Sequence, residues 1–235
     1  MLKQKKRLAV LTGAGISAES GIATFRSSDG LWEQYRIEDV ATPQAWRKNP
    51  SLVLEFYNLR RQKAAQALPN AAHYALQRLE ETYNVSIVTQ NVDDLHERAG
   101  SRHVLHLHGK LSEVRSVLNP ALIYDIGDKP IFLGDTCTQG GQLRPNIVWF
   151  GEDVPMIDNA VEIVRQADIF LVIGTSLLVY PAAGLLHHVP KHAPIYLIDP
   201  EPNAEILHYY KNLIAIPEKA TVGMEKLLEL LSNSH

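Results

Sequence analysis

"RLAVLTGAGISAESGIATFR" (residues 7–26) decides the fold. An apolar, β-branched run ends at Thr12 and meets at once Gly13, Gly15 and Ala18, which satisfy G-x-G-x-x-A. A strand feeding a glycine turn and then a helix aims backbone N–H groups at an anion and keeps side chains out of the way of a pyrophosphate. The same pattern also fits a sharp strand-to-helix turn with no ligand, so it needs partners elsewhere in the chain. The usual partner is a ribose-binding acid about 20 residues on, at the end of the next strand. Here that interval holds "FRSSDGLWEQYR" (25–36), which does not read as a strand.

Similar apolar runs recur at 85–90, 103–109 ("HVLHLHG"), 146–151 ("NIVWFG"), 168–174 ("DIFLVIG") and 195–199 ("IYLID"), and most read as buried strands. Helical segments alternate with them. Asn49 and Pro50 form a cap and first-turn pair for a helix to about Leu68; Asn70 starts another containing Leu76 and Leu79. Further helices are expected at 159–167, 202–210 and 222–232. The alternation predicts an α/β fold, a doubly wound, Rossmann-like parallel sheet. Residues 110–145, punctuated by glycine and proline, read as a small module inserted in one domain spanning 1–235, and residues 20–48 as a second excursion. An acid does end a later strand: Asp199 could accept from both hydroxyls of an adenine ribose and would repel a 2′-phosphate, favouring NAD over NADP. It also reads as a helix cap before Pro200. Gly174, Thr175 and Ser176 close another strand and supply more donors for phosphate.

With 235 residues, 46% of them apolar, the chain can bury a sizeable core. A net charge of −3 argues against gripping nucleic acid through a basic face. The basic N-terminal run imitates a secretory leader, but Thr12 and Gly13 break its apolar part, and no window approaches a membrane span. Cys137, the single cysteine, has no partner for an intramolecular disulfide and suits a reducing compartment. A cytoplasmic protein is expected.

"TQNVDDLHERAG" (89–100), "HLHG" (106–109), "VWFGE" (148–152) and "GTS" (174–176) follow "GAGISAESGIATFRSSDGLW" (13–32) in order. Together they resemble the sirtuins, NAD-dependent protein deacylases, most of all their bacterial branch, from about residue 8 to 225, weakening only inside 112–143. The resemblance implies that NAD and an acylated lysine of a partner protein meet in a cleft between the sheet domain and the small module. Gly13, Ala14, Gly15, Gly174, Thr175 and Ser176 would then bind NAD. Phe25 would shield the reactive carbon from water, with Arg26 near the phosphates and Trp32 in the same loop. Asp93 and the backbone of Val92 would hold the carboxamide, Gln90 and Asn91 the ribose and its water, and Asp199, Glu201 and Ala220 the adenosine. His108 takes the family's base position, with Asn91 as its catalytic companion.

Residue chemistry runs parallel to this. Breaking the nicotinamide–ribose bond builds positive charge on the sugar, so the site must turn the nicotinamide out, exclude water and hold the weakly nucleophilic acyl oxygen close. A base must then activate a ribose hydroxyl, for which a neutral imidazole has the right range. His103, His106 and His108 are read as sharing one strand face. Each could as well be a packed or surface residue, and the spacing also fits two ligands of a metal ion. Only Gly109 and the resemblance single out His108; His187 and His188 read as structural.

Tyr57 and Arg60 are i,i+3 neighbours on the predicted helix, where a guanidinium fork beside a phenol receives a carboxylate. The pair resembles the sirtuin branch that removes succinyl and malonyl groups while still accepting acetyl; on residue type alone, Arg60 and Arg61 read as a solvated face. Val148, Phe150, Gly151 and Glu152 would offer a strand edge to the substrate backbone. Sirtuins usually carry four cysteines on a structural zinc. Here Ser116 stands where the first pair should begin and Cys137 alone remains near the second, so no metal is expected. Leu122, Tyr124, Ile126, Ile131 and Leu133 would hold the module by apolar packing instead.

The resulting expectation is a monomeric enzyme that deacylates protein lysines and releases nicotinamide and O-acyl-ADP-ribose, with no membrane or nucleic-acid partner. A rival keeps the fold but acts as an NAD hydrolase or ADP-ribosyltransferase. A non-catalytic NAD-sensing module is a third reading, and it should have lost some of Gln90, Asn91, Asp93 and His108.

Overall fold

The computed structural model describes residues 4–24, the backbone of 31–32, and 35–232. The chain opens with β1 (Arg7–Thr12), α1 (Gly15–Ala18), β2 (Leu31–Trp32), β3 (Tyr35–Arg36), α2 (Ile37–Val40) and α3 (Pro43–Lys48). Next come α4 (Pro50–Gln66), α5 (Ala71–Leu79), β4 (Asn84–Thr89), α6 (Leu95–Arg98) and β5 (Val104–His106). β6 (Gly109–Ser116), β7 (Ile123–Asp125) and β8 (Leu143–Ile147) form the module. The last elements are α7 (Ile157–Arg165), β9 (Ile169–Ile173), a 3-10 helix at Ala182–His188, β10 (Ile195–Ile198), α8 (Ala204–Tyr209), β11 (Leu213–Ile216) and α9 (Ala220–Ser232).

Six parallel strands lie in the order β11-β10-β9-β1-β4-β5. From β1 the chain winds outward to β4 and β5, then returns to β9 and winds the other way. The strand order therefore reverses between β1 and β9, the place where doubly wound sheets open a crevice beyond their strand ends. Both faces of β1 are covered. Leu8 and Val10 pack with Leu76 and Leu79 of α5 and Met224 and Leu227 of α9, while Ala9 and Leu11 pack with Val164 of α7 and Leu185, as the two-residue period of a strand requires. The caps expected at α4 and α5 form: Asn49 Oδ1 accepts from Leu52 N at 3.2 Å ahead of Pro50, and Asn70 Oδ1 accepts from Ala72 N at 3.0 Å.

Two expected strands are corrected. The run at 103–109 is a strand only over Val104–His106, and the exposed His103 does not share a face with His106 and His108. The run at 146–151 does not join the parallel sheet: β8 ends at Ile147 and pairs antiparallel with β6, itself antiparallel to β7. Gly109 makes the division, with φ +78° and no room for a side chain, since a Cβ would sit 1.8 Å from Asn146 O. The chain there leaves one sheet and enters the other. β11, a short half-buried edge strand, was not anticipated.

The module is held by α4. Ile131 is buried with Leu54 and Val114, and Tyr124 and Ile126 pack beside them; Leu133 instead faces outward, 53% exposed. Asn58 donates to Ile131 O at 2.8 Å and accepts from Ile131 N at 3.0 Å. Arg61, 2% exposed, donates to Leu111 O at 2.6 Å, Asn58 Oδ1 at 2.8 Å and Lys129 O at 3.4 Å. Arg60 and Arg61 are thus not a solvated face. Burial lowers the Arg61 pKa to about 10, and three carbonyl-type acceptors make that burial tolerable.

Behind β1, α5 meets α6 through two imidazoles 5.0 Å apart, His73 and His96, both fully buried. His96 Nε2 bonds Thr12 Oγ1 at 3.0 Å, and the Thr12 hydroxyl donates to Thr89 Oγ1 at 2.8 Å. Burial pushes His73 from 6.5 down to about 4 and His96 well down. Below pH 6.5 the unfolded chain takes up protons that the native protein refuses, so native stability falls as the pH drops from about 6.5 toward 4. For His73 alone the loss by pH 4 is about 3 kcal/mol. Urea unfolding of wild type and His73→Gln between pH 7 and pH 5 should show a shallower pH slope in the variant; identical slopes would assign the acid sensitivity elsewhere.

Candidate active site

The two glycine turns after β1 and β9 touch. Gly15 N donates to Gly174 O at 2.8 Å, and a Cβ on Gly15 would lie 2.5 Å from Gly174 Cα. Beyond them runs a cavity of about 780 Å³, within the range of ligand sites. Every expected binding residue among the described side chains lines it: Gly13, Ala14, Gly15, Gln90, Asn91, Val92, Asp93, His108, Gly174, Thr175, Ser176, Asp199, Glu201 and Ala220, and on the far side Tyr57, Arg60, Val148, Phe150, Gly151 and Glu152. Phe25, Arg26 and the Trp32 side chain lie outside the described residues. Side-chain-free turns at one end and the buried Asp199 carboxylate one strand away fit a dinucleotide. Asp199 Oδ1 also accepts from Glu201 N at 2.9 Å, closing a local turn before α8.

His108 sits just past the tip of β5, half-buried. Its Nδ1 lies 3.0 Å from Gln90 O, and because a carbonyl only accepts, Nδ1 carries the proton and Nε2 keeps a free lone pair. Burial lowers the pKa, against the opposing pull of the Gln90 bond, so the ring is a neutral base at pH 7. His106 is different: Nδ1 donates to Asn91 O at 3.0 Å and Nε2 meets Glu97 Oε1 at 2.8 Å, leaving no free nitrogen.

The loop after β4 is held by hydroxyls. Thr89 Oγ1 accepts from Asn91 N at 3.0 Å, Asn91 Nδ2 donates to Ser17 Oγ at 3.2 Å, and Ser17 donates to Asp93 Oδ2 at 3.1 Å. Burial raises the Asp93 pKa against the bonds from Leu95 N and Ser17. Gln90 Nε2 reaches Thr175 Oγ1 at 3.1 Å and joins this loop to the second glycine turn. Ser17, which sequence reasoning missed, is the centre of the network; its only signal was its place inside the glycine motif.

The 148–152 segment is a turn rather than a free edge. Val148 N donates to His108 O and Phe150 N to Ala41 O, each at 3.0 Å. The Glu152 carboxylate is committed inward, accepting from Arg144 Nη1 at 2.8 Å, Arg115 Nη2 at 3.4 Å and Trp149 N at 2.9 Å. The Arg144 guanidinium carbon lies 3.3 Å over the Trp149 ring. Neither Arg144 nor Trp149 was singled out beforehand.

Tyr57 and Arg60 share one face of α4 and are 1% and 8% exposed. Burial drives the phenol pKa to about 12 despite the nearby Arg60 charge, so it remains a hydroxyl that can donate. Where the resemblance implies zinc ligands stand Ser116 and Cys137. Ser116 Oγ accepts from Leu118 N at 3.1 Å, Asn119 N at 3.3 Å and the Cys137 thiol at 3.2 Å, which closes the knuckle with a hydroxyl. No group of three His, Cys, Asp or Glu able to hold a metal ion occurs among the described residues.

The family model described as Sir2 family matches residues 13–181. A protein of Bacteroides thetaiotaomicron called NAD-dependent protein deacylase is 51% identical over 231 residues, covering 96% of this chain and 98% of its own. A Helicobacter pylori protein of the same name is 53% identical, covering 96% and 97%. Among solved structures, a Sir2 homolog bound to NAD superposes with a TM-score of 0.86 at 41% identity, over 98% of this chain and 91% of that one. A Sir2 homologue mutant with ADP-ribose gives 0.88 at 41%, over 98% and 93%. With the crevice, the glycine turns and His108 arranged as described, this chain belongs to the Sir2 family.

Proposed function

We propose that the protein is an NAD-dependent protein-lysine deacylase that accepts acetyl and also succinyl and malonyl groups. One observation carries the reading: His108, with Nε2 free, stands in a single cavity that runs from the glycine turns and Asp199 to Tyr57 and Arg60. NAD, when bound, supplies the ribose carbon that accepts the acyl oxygen and the nicotinamide that departs. The chain's residues do the rest. The Gly13–Gly15 and Gly174–Ser176 turns carry the phosphates, and Asp199, Glu201 and Ala220 face the adenosine. Asp93 and the Val92 backbone hold the carboxamide, while Asn91 and Gln90 orient the ribose, their positions fixed by Ser17 and Thr175. His108 Nε2 takes the proton of a ribose hydroxyl, and the bond to Gln90 O holds the ring in the tautomer that allows it. Val148, Phe150 and Gly151 border the substrate entrance, with Glu152 stiffening their turn.

Acidic-acyl acceptance is supported by a dry recess in which a phenol and a guanidinium converge, chemistry that suits a carboxylate. The NAD hydrolase or transferase alternative would have no use for that recess, and a non-catalytic sensor would have no use for His108. We further propose a zinc-free, cytoplasmic monomer with neither membrane nor nucleic-acid partners. The Ser116–Cys137 contact and the α4 anchors support the first point, the lone thiol supports the compartment, and the net charge of −3 supports the lack of a nucleic-acid partner. No described helix is long and apolar enough to cross a membrane.

Incubated with NAD and matched acetyl- and succinyl-lysine peptides, the protein should yield free lysine, nicotinamide and O-acyl-ADP-ribose by mass spectrometry, and His108→Ala should lower kcat by about 100-fold or more. NAD consumption with intact peptide would instead support the hydrolase. Arg60→Met should cut succinyl removal by at least tenfold and leave acetyl removal within about threefold; equal losses would remove the carboxylate from this recess. Elemental analysis of purified protein should find well under one zinc per chain, and stoichiometric zinc would overturn the zinc-free reading.

A further inference from the structure

Trp149 presents a donor that the proposed chemistry has not used. The side chain is 2% exposed and lines the cavity, and its indole Nε1 is fully buried without a hydrogen-bond partner. A buried N–H in that condition costs about 1–3 kcal/mol, a cost that packing alone does not explain. The ring is fixed on every side. Trp46 lies 5.8 Å away, Arg144 covers one face, and the backbone N–H donates to Glu152. Its ring centroid is 6.4 Å from that of Tyr57 with the planes inclined at 36°, and the indole lowers the phenol's pKa against the stronger effect of burial.

We infer that Trp149 is a specificity-determining residue whose indole N–H is a third donor, with the Tyr57 hydroxyl and Arg60, for the terminal carboxylate of an acidic acyl group. The inference rests on the acidic-acyl reading above. An ionised carboxylate only accepts and has about four lone-pair sites on two oxygens, so it can take all three donors at once. The local charge agrees, since Arg144 and Arg115 both bond Glu152 and outweigh its single negative charge. An acetyl group ends in a methyl and offers this N–H nothing.

The test compares wild type, Trp149→Phe and Arg60→Met on acetyl- and succinyl-lysine peptides. Phenylalanine keeps a ring under Arg144 and deletes the N–H. Trp149→Phe should raise the succinyl KM about tenfold, hold kcat within about twofold and leave acetyl kinetics within about twofold. In wild type, the indole 1H–15N signal absent from Trp149→Phe should move on adding succinyl peptide without NAD and stay in place with acetyl peptide. Should that variant fail to fold, Trp32→Phe and Trp46→Phe assign the other two indole signals and leave that of Trp149 by elimination. An unchanged succinyl KM, equal losses on both peptides, or an indole signal that ignores the succinyl peptide would each overturn the inference while leaving the Tyr57 and Arg60 reading intact. A wild type inert toward the succinyl peptide but active on acetyl would overturn both.

Discussion

Gly15 and Gly174 meet backbone to backbone, and the site depends on that contact. Each lacks the atom that would prevent it, for a Cβ on Gly174 would fall 2.4 Å from Ile16 N and one on Gly13 would fall 2.7 Å from Thr175 Cβ. Gly174 also holds φ +62°, a conformation that costs other residues energy. The glycines thus serve packing first. By letting the turns after β1 and β9 interlock, they open the crevice where the strand order reverses, and backbone rather than side chain forms its floor. The proposed second use, leaving room for phosphate, follows from the first.

From that floor the chemistry is assembled by short polar contacts from different strands. Thr12 ends β1, Thr89 ends β4, and their hydroxyl bond ties the glycine turn to the loop that carries Gln90, Asn91 and Asp93. The carbonyl of Gln90 then sets the His108 tautomer. The imidazole just past β5 is therefore governed by a residue just past β4, and the parallel register of these strands keeps the two together.

Much of this was legible in the sequence because it obeys local rules. The alternating apolar runs, the Asn49–Pro50 start and the glycine turns follow from propensity and period, and the line-up of site residues follows from motifs. Other features depend on distant partners. The periodicity of "NIVWFG" could not say which sheet it joins, because Gly109, nearly forty residues earlier, makes that choice. Arg60 and Arg61 looked solvated because arginines usually are; the Arg61 acceptors, Leu111 O and Lys129 O, lie 50 and 68 residues away. Trp149 passed unremarked inside "NIVWFG", and its side chain is 2% exposed. Only its orientation against Tyr57 exposed the unmatched polar edge.

The helix that presents Tyr57 and Arg60 is also the post to which the module is bolted, through Asn58 and Arg61 on the same two turns. On the proposed reading, acyl choice and module attachment are therefore inherited as a unit. A chimera that swaps residues 110–145 for a metal-bearing relative's version would have to bring the matching α4 with it, and a graft of α4 alone would import a new acyl preference at the expense of its neighbour's anchorage.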